Sequence, residues 1–144
     1  MDSFTFQEDV PVFCVTAVDG RRGAADAMQT LKSLLPPNER RHFYGLFWPG
    51  RDGGTYKAAA NVLDGEMEQQ GLSAFTIQNG PYNSFYISDY TSQPDAIDRA
   101  FEMLRAQHEV DPDGYCLEWY VNDHDVKCMV PLGRHYQSFT GLNR

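Results

Sequence analysis

The stretch Tyr115-Cys116-Leu117-Glu118-Trp119-Tyr120 decides the reading of the chain, because it has a counterpart in Phe43-Tyr44-Gly45-Leu46-Phe47-Trp48. Both are apolar and aromatic runs that stop at a turn, Asn122-Asp123-His124 in one case and Pro49 to Gly54 in the other. Both resume as strand-like segments, 126–132 and 56–63. Each pair reads as a β-hairpin. Upstream of each lies a helical stripe. Ala24, Ala27, Met28, Leu31 and Leu34-Leu35 recur at helical spacing until Pro36-Pro37 stops them. Ile97, Ala100, Phe101 and Leu104 do the same behind a Ser92-Gln93-Pro94-Asp95 start. Upstream again are strands over 13–18 and 84–90. Phe13 precedes Phe85 by 72 positions and Trp48 precedes Tyr120 by 72, while Leu31 and Leu104 are 73 apart and Lys57 and Lys127 are 70 apart. A strand–helix–strand–strand unit therefore occurs twice. The expected fold is α+β: duplicated βαββ units forming a curved, mostly antiparallel sheet with two helices on one face and a central ligand cleft. The expected organisation is one domain over 1–144, with a first repeat over about 10–65, a second over about 72–133 and a peripheral tail over 134–144.

Composition narrows the function class. A chain of 144 residues, 42% hydrophobic and 22% charged, can bury a core and is not of disordered composition. A net charge of −8 gives no cationic surface for phosphates, so no direct nucleic-acid binding is expected. The basic pairs Arg21-Arg22 and Arg40-Arg41 read as solvated ends of elements. No apolar run approaches membrane-spanning length, and the N-terminus has no leader pattern, so neither membrane insertion nor export is expected. Three scattered cysteines, Cys14, Cys116 and Cys128, fit reduced thiols and a cytoplasmic location. Four dispersed histidines form no H-E-x-x-H, and the Gly50–Gly54 turn is not followed by the G-K-[ST] of a phosphate loop. Neither a metal nor a cofactor is expected.

Strand alternation sorts the side chains by face. Leu117 and Trp119 share one face, and Cys116, Glu118 and Tyr120 the other; Phe85 and Ile87 oppose Tyr86, Ser88 and Tyr90. The purely apolar faces are expected to pack under the helices. At an offset of 72 from Glu118 and Tyr120, the first unit adds Leu46 and Trp48, with Tyr44 on the same side and Tyr56 on the neighbouring strand. The face left uncovered is then aromatic, with one carboxylate near its centre. Glu118 has two readings at this point. It is an edge-strand glutamate met by water or backbone donors, or a carboxylate held among rings. In the second case its charged form is costly unless a cation pairs with it. Tyr and Trp faces add roughly 0.5–2 kcal/mol of cation–π attraction each when dry.

These residues carry a resemblance. Asn79-Gly80-Pro81-Tyr82 leading into a strand, then 115–120 and Val126-Lys-Cys-Met-Val-Pro-Leu132, resembles the second half of the GyrI-like effector-binding fold. Tyr44-Gly-Leu-Phe47 and Tyr56-Lys-Ala-Ala-Ala60 are similar to its first repeat. The resemblance covers about residues 10–133. It implies a duplicated unit with a central pocket in which, among multidrug-sensing members, a strand glutamate meets cationic drugs. Glu118 falls on that position, Tyr86 and Tyr120 accompany it by register, and Tyr44 and Tyr56 follow. In the regulators of this family the module follows a helix-turn-helix. About ten residues precede the first strand here, so direct transcription control is not expected.

Three functions follow as expectations. The first is binding or sequestration of a hydrophobic, cationic small molecule by Glu118, Tyr120, Tyr86, Tyr44, Trp48, Tyr56, Ser88 and Cys116. The second is hydrolysis of a strained, cyclopropane-bearing electrophile, with Glu118 as base or water-orienting group and Trp48 or a tyrosine steadying developing positive charge. The third is a protein-interaction role toward a regulator or, as in the gyrase-inhibitor relatives, a topoisomerase.

Overall fold

The computed structural model describes residues 1–133; the expected tail over 134–144 lies outside them. Eight strands form one antiparallel sheet: β1 (Asp2–Phe6), β2 (Val10–Thr16), β3 (Phe43–Trp48), β4 (Thr55–Asn61), β5 (Ser73–Ile77), β6 (Gly80–Ile87), β7 (Cys116–Tyr120) and β8 (Val126–Pro131). Two helices, α1 (Ala24–Leu34) and α2 (Ala96–Arg105), follow β2 and β6. The order across the sheet is β1-β6-β8-β7-β3-β4-β2-β5. The unit is repeated as the sequence implies, but each half has a further strand. β1 crosses to pair with β6 of the second half, and β5 crosses to pair with β2 of the first. The halves are thus stitched at both outer edges as well as at the central β3–β7 pair.

That exchange forces the sheet to curl. β1 and β2 stand six strand spacings apart, about 29 Å on a flat sheet, yet only Gln7 to Asp9 join them, a reach of about 14 Å. The β5–β6 link, Gln78-Asn79, imposes the same demand from the other end. The sheet closes toward the face that carries Phe6, Tyr44, Leu46, Tyr82, Leu117 and Met129, which form one core spanning both halves. Phe75 on the outermost strand meets the ring of Tyr115, just ahead of β7, at 5.5 Å, and Trp48 at 5.3 Å. The phenol groups of Tyr82 and Tyr115 hydrogen bond at 2.6 Å.

The outer face carries the helices. α1 lays Ala27 and Leu31 on Phe13, Ala58 and Ala60; the small alanines of β4 let the helix approach closely. It ends at Leu35, which turns extended (φ −115, ψ 138) as a residue before proline must. α2 lays Ala96, Ala100, Phe101 and Leu104 on Ile87, Val126, Cys128 and Val130. Removing a fully buried leucine such as Leu31 or Leu104 from either patch costs about 2–5 kcal/mol.

This arrangement corrects the facing read from sequence. Phe85 and Ile87 do lie under a helix, but Leu117 and Trp119 face the inner core, and Cys116, Glu118 and Tyr120 lie on the helix side. The uncovered face is no open cleft, because the curl fills it with its own rings. The error has a physical source. In β3 and β7 the equivalent residues are Phe43 and Cys116, Gly45 and Glu118, Phe47 and Tyr120, an offset of 73, as between Leu31 and Leu104. In β2 and β6 the registers with β4 and β8 give an offset of 70, which sets Val15 at the place of Phe85 and Asp19 at that of Asp89, so the 72 read between Phe13 and Phe85 holds for neither strand pair. A slip of one residue turns a strand over. Tyr44 and Trp48 accordingly belong to the inner core, not beside Glu118. Tyr86 is paired with Lys127 on that same inner face, where its side chain is exposed. Ser88 lies beyond the end of β6 and is exposed.

Candidate functional site

The helix side has a bare strip along its centre, between α1 and α2, floored by β3 and β7. Gly45 and Glu118 are register partners there. Because Phe43 pairs with Tyr120 and Phe47 with Cys116, the pseudo-two-fold axis passes between Gly45 and Glu118. Glu118 is 1% exposed. It has room because its equivalent is glycine: a Cβ on Gly45 would stand 2.8 Å from Glu118 Oε1 and 2.2 Å from the Tyr56 hydroxyl.

Three side chains satisfy the carboxylate. Tyr120 donates to Oε1 at 2.5 Å, Tyr56 donates to the same oxygen at 3.5 Å, and the two hydroxyls lie 3.4 Å apart. Arg21 Nη1 donates to Oε2 at 2.7 Å. Burial first, and then the charge of Glu118, push both phenols upward in pKa, Tyr120 well above the usual tyrosine value, so both remain O–H donors at neutral pH. Burial pulls the Arg21 guanidinium down, but the charge and hydrogen bond of Glu118, with Asp98, outweigh it and raise it overall. A pair this close, with one partner buried, is no large source of stability, yet stripping away either member costs about 3–5 kcal/mol.

Arg21 and Tyr90 reach the centre by equivalent routes. Asp19 (φ 66) and Asp89 (φ 52) each take the left-handed conformation, and each opens a 3-10 turn, Gly20–Gly23 or Tyr90–Ser92, ahead of its helix. The first turn delivers Arg21 over the rings of Phe47 and Tyr56, 4.4 and 5.7 Å from their centroids. The second sets Tyr90 5.7 Å from the ring of Tyr120. Beside this cluster opens a cavity of about 520 Å³, walled by Ala25 and Met28 of α1, by Phe43, Tyr56 and Tyr120 of the sheet, and by Tyr90. A second cavity, of about 550 Å³, lies beside Arg21 and Phe47 and reaches Asp52 and Asp98.

Of the residues singled out from sequence, the structure brings Glu118, Tyr120 and Tyr56 together. Cys116 shares their face but is buried against α2, with Arg105 Nη1 3.9 Å from its sulfur. Tyr44 and Trp48 lie on the far side of the sheet. The Tyr86 hydroxyl donates to Asp125 at 2.6 Å, away from the groove. Ser88 gives its carbonyl to Gln93. Sequence reasoning missed Arg21, Phe47 and Gly45. The 73-residue offset between Leu31 and Leu104 could have placed the last two. Nothing in the sequence separates Arg21 from Arg22, which is solvated at 88% exposure.

No protein-family model matches the sequence, and no curated protein does. Solved structures do resemble the fold. An integron cassette protein from the mobile metagenome of Vibrio cholerae is 12% identical with a TM-score of 0.64, covering 92% of this chain and 95% of its own. The protein SAV2435 bound to tetraphenylphosphonium is 12% identical with a TM-score of 0.62, over 93% and 94% of the two chains. A hydrolase from Listeria innocua is 7% identical with a TM-score of 0.58, over 92% and 91%. At such identities the likeness is one of fold.

Proposed function

We propose that this chain is a GyrI-like module that binds lipophilic, cationic small molecules in the groove between α1 and α2. Glu118 supplies the charge, and Tyr56, Tyr120, Tyr90 and Phe43 supply the walls. The observation that carries this reading is a carboxylate at 1% exposure whose compensating charge comes from a side chain on a surface turn, not from the core. A carboxylate so placed demands a cation, and rings at its sides favour one that is itself greasy. The structural likeness to a protein bound to tetraphenylphosphonium supports the ligand class. A hydrolase also shares the fold; because Trp48 does not face Glu118, that reading would fall to Tyr56 or Tyr120, whose hydroxyls meet the carboxylate.

Calorimetric titration with tetraphenylphosphonium and with triphenylphosphine oxide, a neutral compound of similar ring content, tests the reading. Saturable binding of the cation, with the neutral compound at least tenfold weaker, is expected. Equal affinity for the two, or no binding of the cation, would overturn it.

A further inference from the structure

Glu118 already holds a cation, and it belongs to the protein. We propose that Arg21 is a tethered stand-in for the ligand: its guanidinium closes the groove, and a ligand enters by carrying a positive charge that replaces it on Glu118. This rests on the binding function proposed above and adds the residue that sets its selectivity.

Four observations support the exchange. The guanidinium makes the contacts a lipophilic cation would make, an ion pair at 2.7 Å and the faces of two rings, Phe47 and Tyr56. It does so from outside the core: the Arg21 side chain is 30% exposed while Glu118 is 1% exposed. It has a second anion within reach, since Asp98, 69% exposed on α2, already lies 3.9 Å from Arg21 Nε. The guanidinium can therefore leave Glu118 without losing a charge partner. Finally, it stands at a partition. Tyr56 and Tyr120 line one cavity and Arg21 and Phe47 the next, and Glu118 contacts Tyr56, Tyr120 and Arg21. The ion pair of Arg21 with Glu118 thus lies between the residues that line the two cavities.

The exchange selects by charge. A neutral molecule that displaced Arg21 would leave a buried carboxylate without a cation, whereas a monocation restores what it removes. Arg21 therefore excludes neutral hydrophobes and weakens cation binding together, because every ligand must first break the internal pair. That is the behaviour of a competing ligand at very high effective concentration.

The test is titration of the full chain with tetraphenylphosphonium for the wild type, Arg21→Ala, Arg21→Lys, Glu118→Gln and Arg21→Ala/Glu118→Gln, with near-ultraviolet circular dichroism reporting that each folds. Arg21→Ala is expected to bind tenfold or more tightly than the wild type. Arg21→Lys, which keeps the charge but loses the planar guanidinium placed over the Phe47 ring, falls between them. The gain is expected to vanish when Glu118 is also glutamine. Ethylguanidinium added to Arg21→Ala should compete with tetraphenylphosphonium, as an untethered copy of the missing group. If Arg21→Ala or, should that variant not fold, Arg21→Lys binds no better than the wild type while Glu118→Gln still abolishes binding, Arg21 is a structural partner only; the proposal falls and the binding function stands. If neither wild type nor Arg21 variants bind the cation, both fall.

Discussion

Gly45 faces Glu118 across the central strand pair, and the two are each other's equivalents in the duplicated fold. Two glutamates there would set carboxylate against carboxylate on the pseudo-two-fold axis. One glutamate and one glycine instead leave a single charge with space around it. The asymmetry of the two halves at this point creates the site.

Gly45→Ala is therefore expected to disturb the site from below. Its methyl group would press within 2.2 Å of the Tyr56 hydroxyl and 2.8 Å of Glu118. Both must shift, at about 1–3 kcal/mol, as in other overpacked cores. Thermal unfolding should show the melting temperature falling by several degrees, and cation titration should show weaker binding. Unchanged stability would mean that Tyr56 moves aside freely.

Tyr120 and Tyr56 are expected to differ. The Tyr120 hydroxyl donates to Glu118 at 2.5 Å, that of Tyr56 at 3.5 Å. Tyr120→Phe removes a short bond to a charged acceptor, worth about 1.5–3 kcal/mol, and Tyr56→Phe a longer, weaker one. Urea unfolding of the two variants measures the difference, with Tyr120→Phe the less stable.

Acid should weaken the fold through a different carboxylate. Arg41 is buried and holds Glu66 in a two-pronged pair at 2.7 Å through each nitrogen, tying down the segment after β4. The hydrogen bonds from Arg41 hold the Glu66 carboxyl at about 2, against 4.5 for a free glutamate. A depressed value means that the stabilisation is complete above 4.5 and is lost as pH falls from there through about 2. Glu66→Gln is expected to lower stability at pH 7 and to flatten its decline over that window, read from chemical unfolding at stepped pH.

The three thiols should be silent in the folded protein. Cys14, Cys116 and Cys128 are 0–1% exposed, and burial raises all three, Cys14 to about 11. A thiol-disulfide reagent at pH 8 is expected to modify none of them in buffer and all three in guanidinium chloride. Rapid labelling of a native thiol would contradict the packing described for the strand that carries it.

The sequence disclosed the repeat because its signals are local: helical stripes, turns and proline stops sit at nearly constant spacing in both halves. β1 and β5 escaped because their partners are in the opposite half. Phe4 and Phe6, like Phe75 and Ile77, alternate with serine, threonine or alanine, but five such residues carry little weight without knowledge of what they pair with. Glu118 stood out as a charge among rings, and Tyr120 followed by alternation on the same strand. Tyr44 and Trp48 were misplaced by one residue of register, an offset of 72 standing for the 73 that relates β3 to β7. Arg21 was illegible, since its role depends on a left-handed turn aiming one of two adjacent arginines inward. Arg41 is its counterpart in the other basic pair, buried while Arg40 remains exposed.

The account depends on Glu118 supplying the charge that a ligand meets. Its most direct test is the affinity for tetraphenylphosphonium of the wild type against Glu118→Gln, which keeps the shape of the side chain and one acceptor oxygen while removing its charge. A loss of tenfold or more, with the melting curve still cooperative, is the result expected. An affinity unchanged by the substitution would contradict the account.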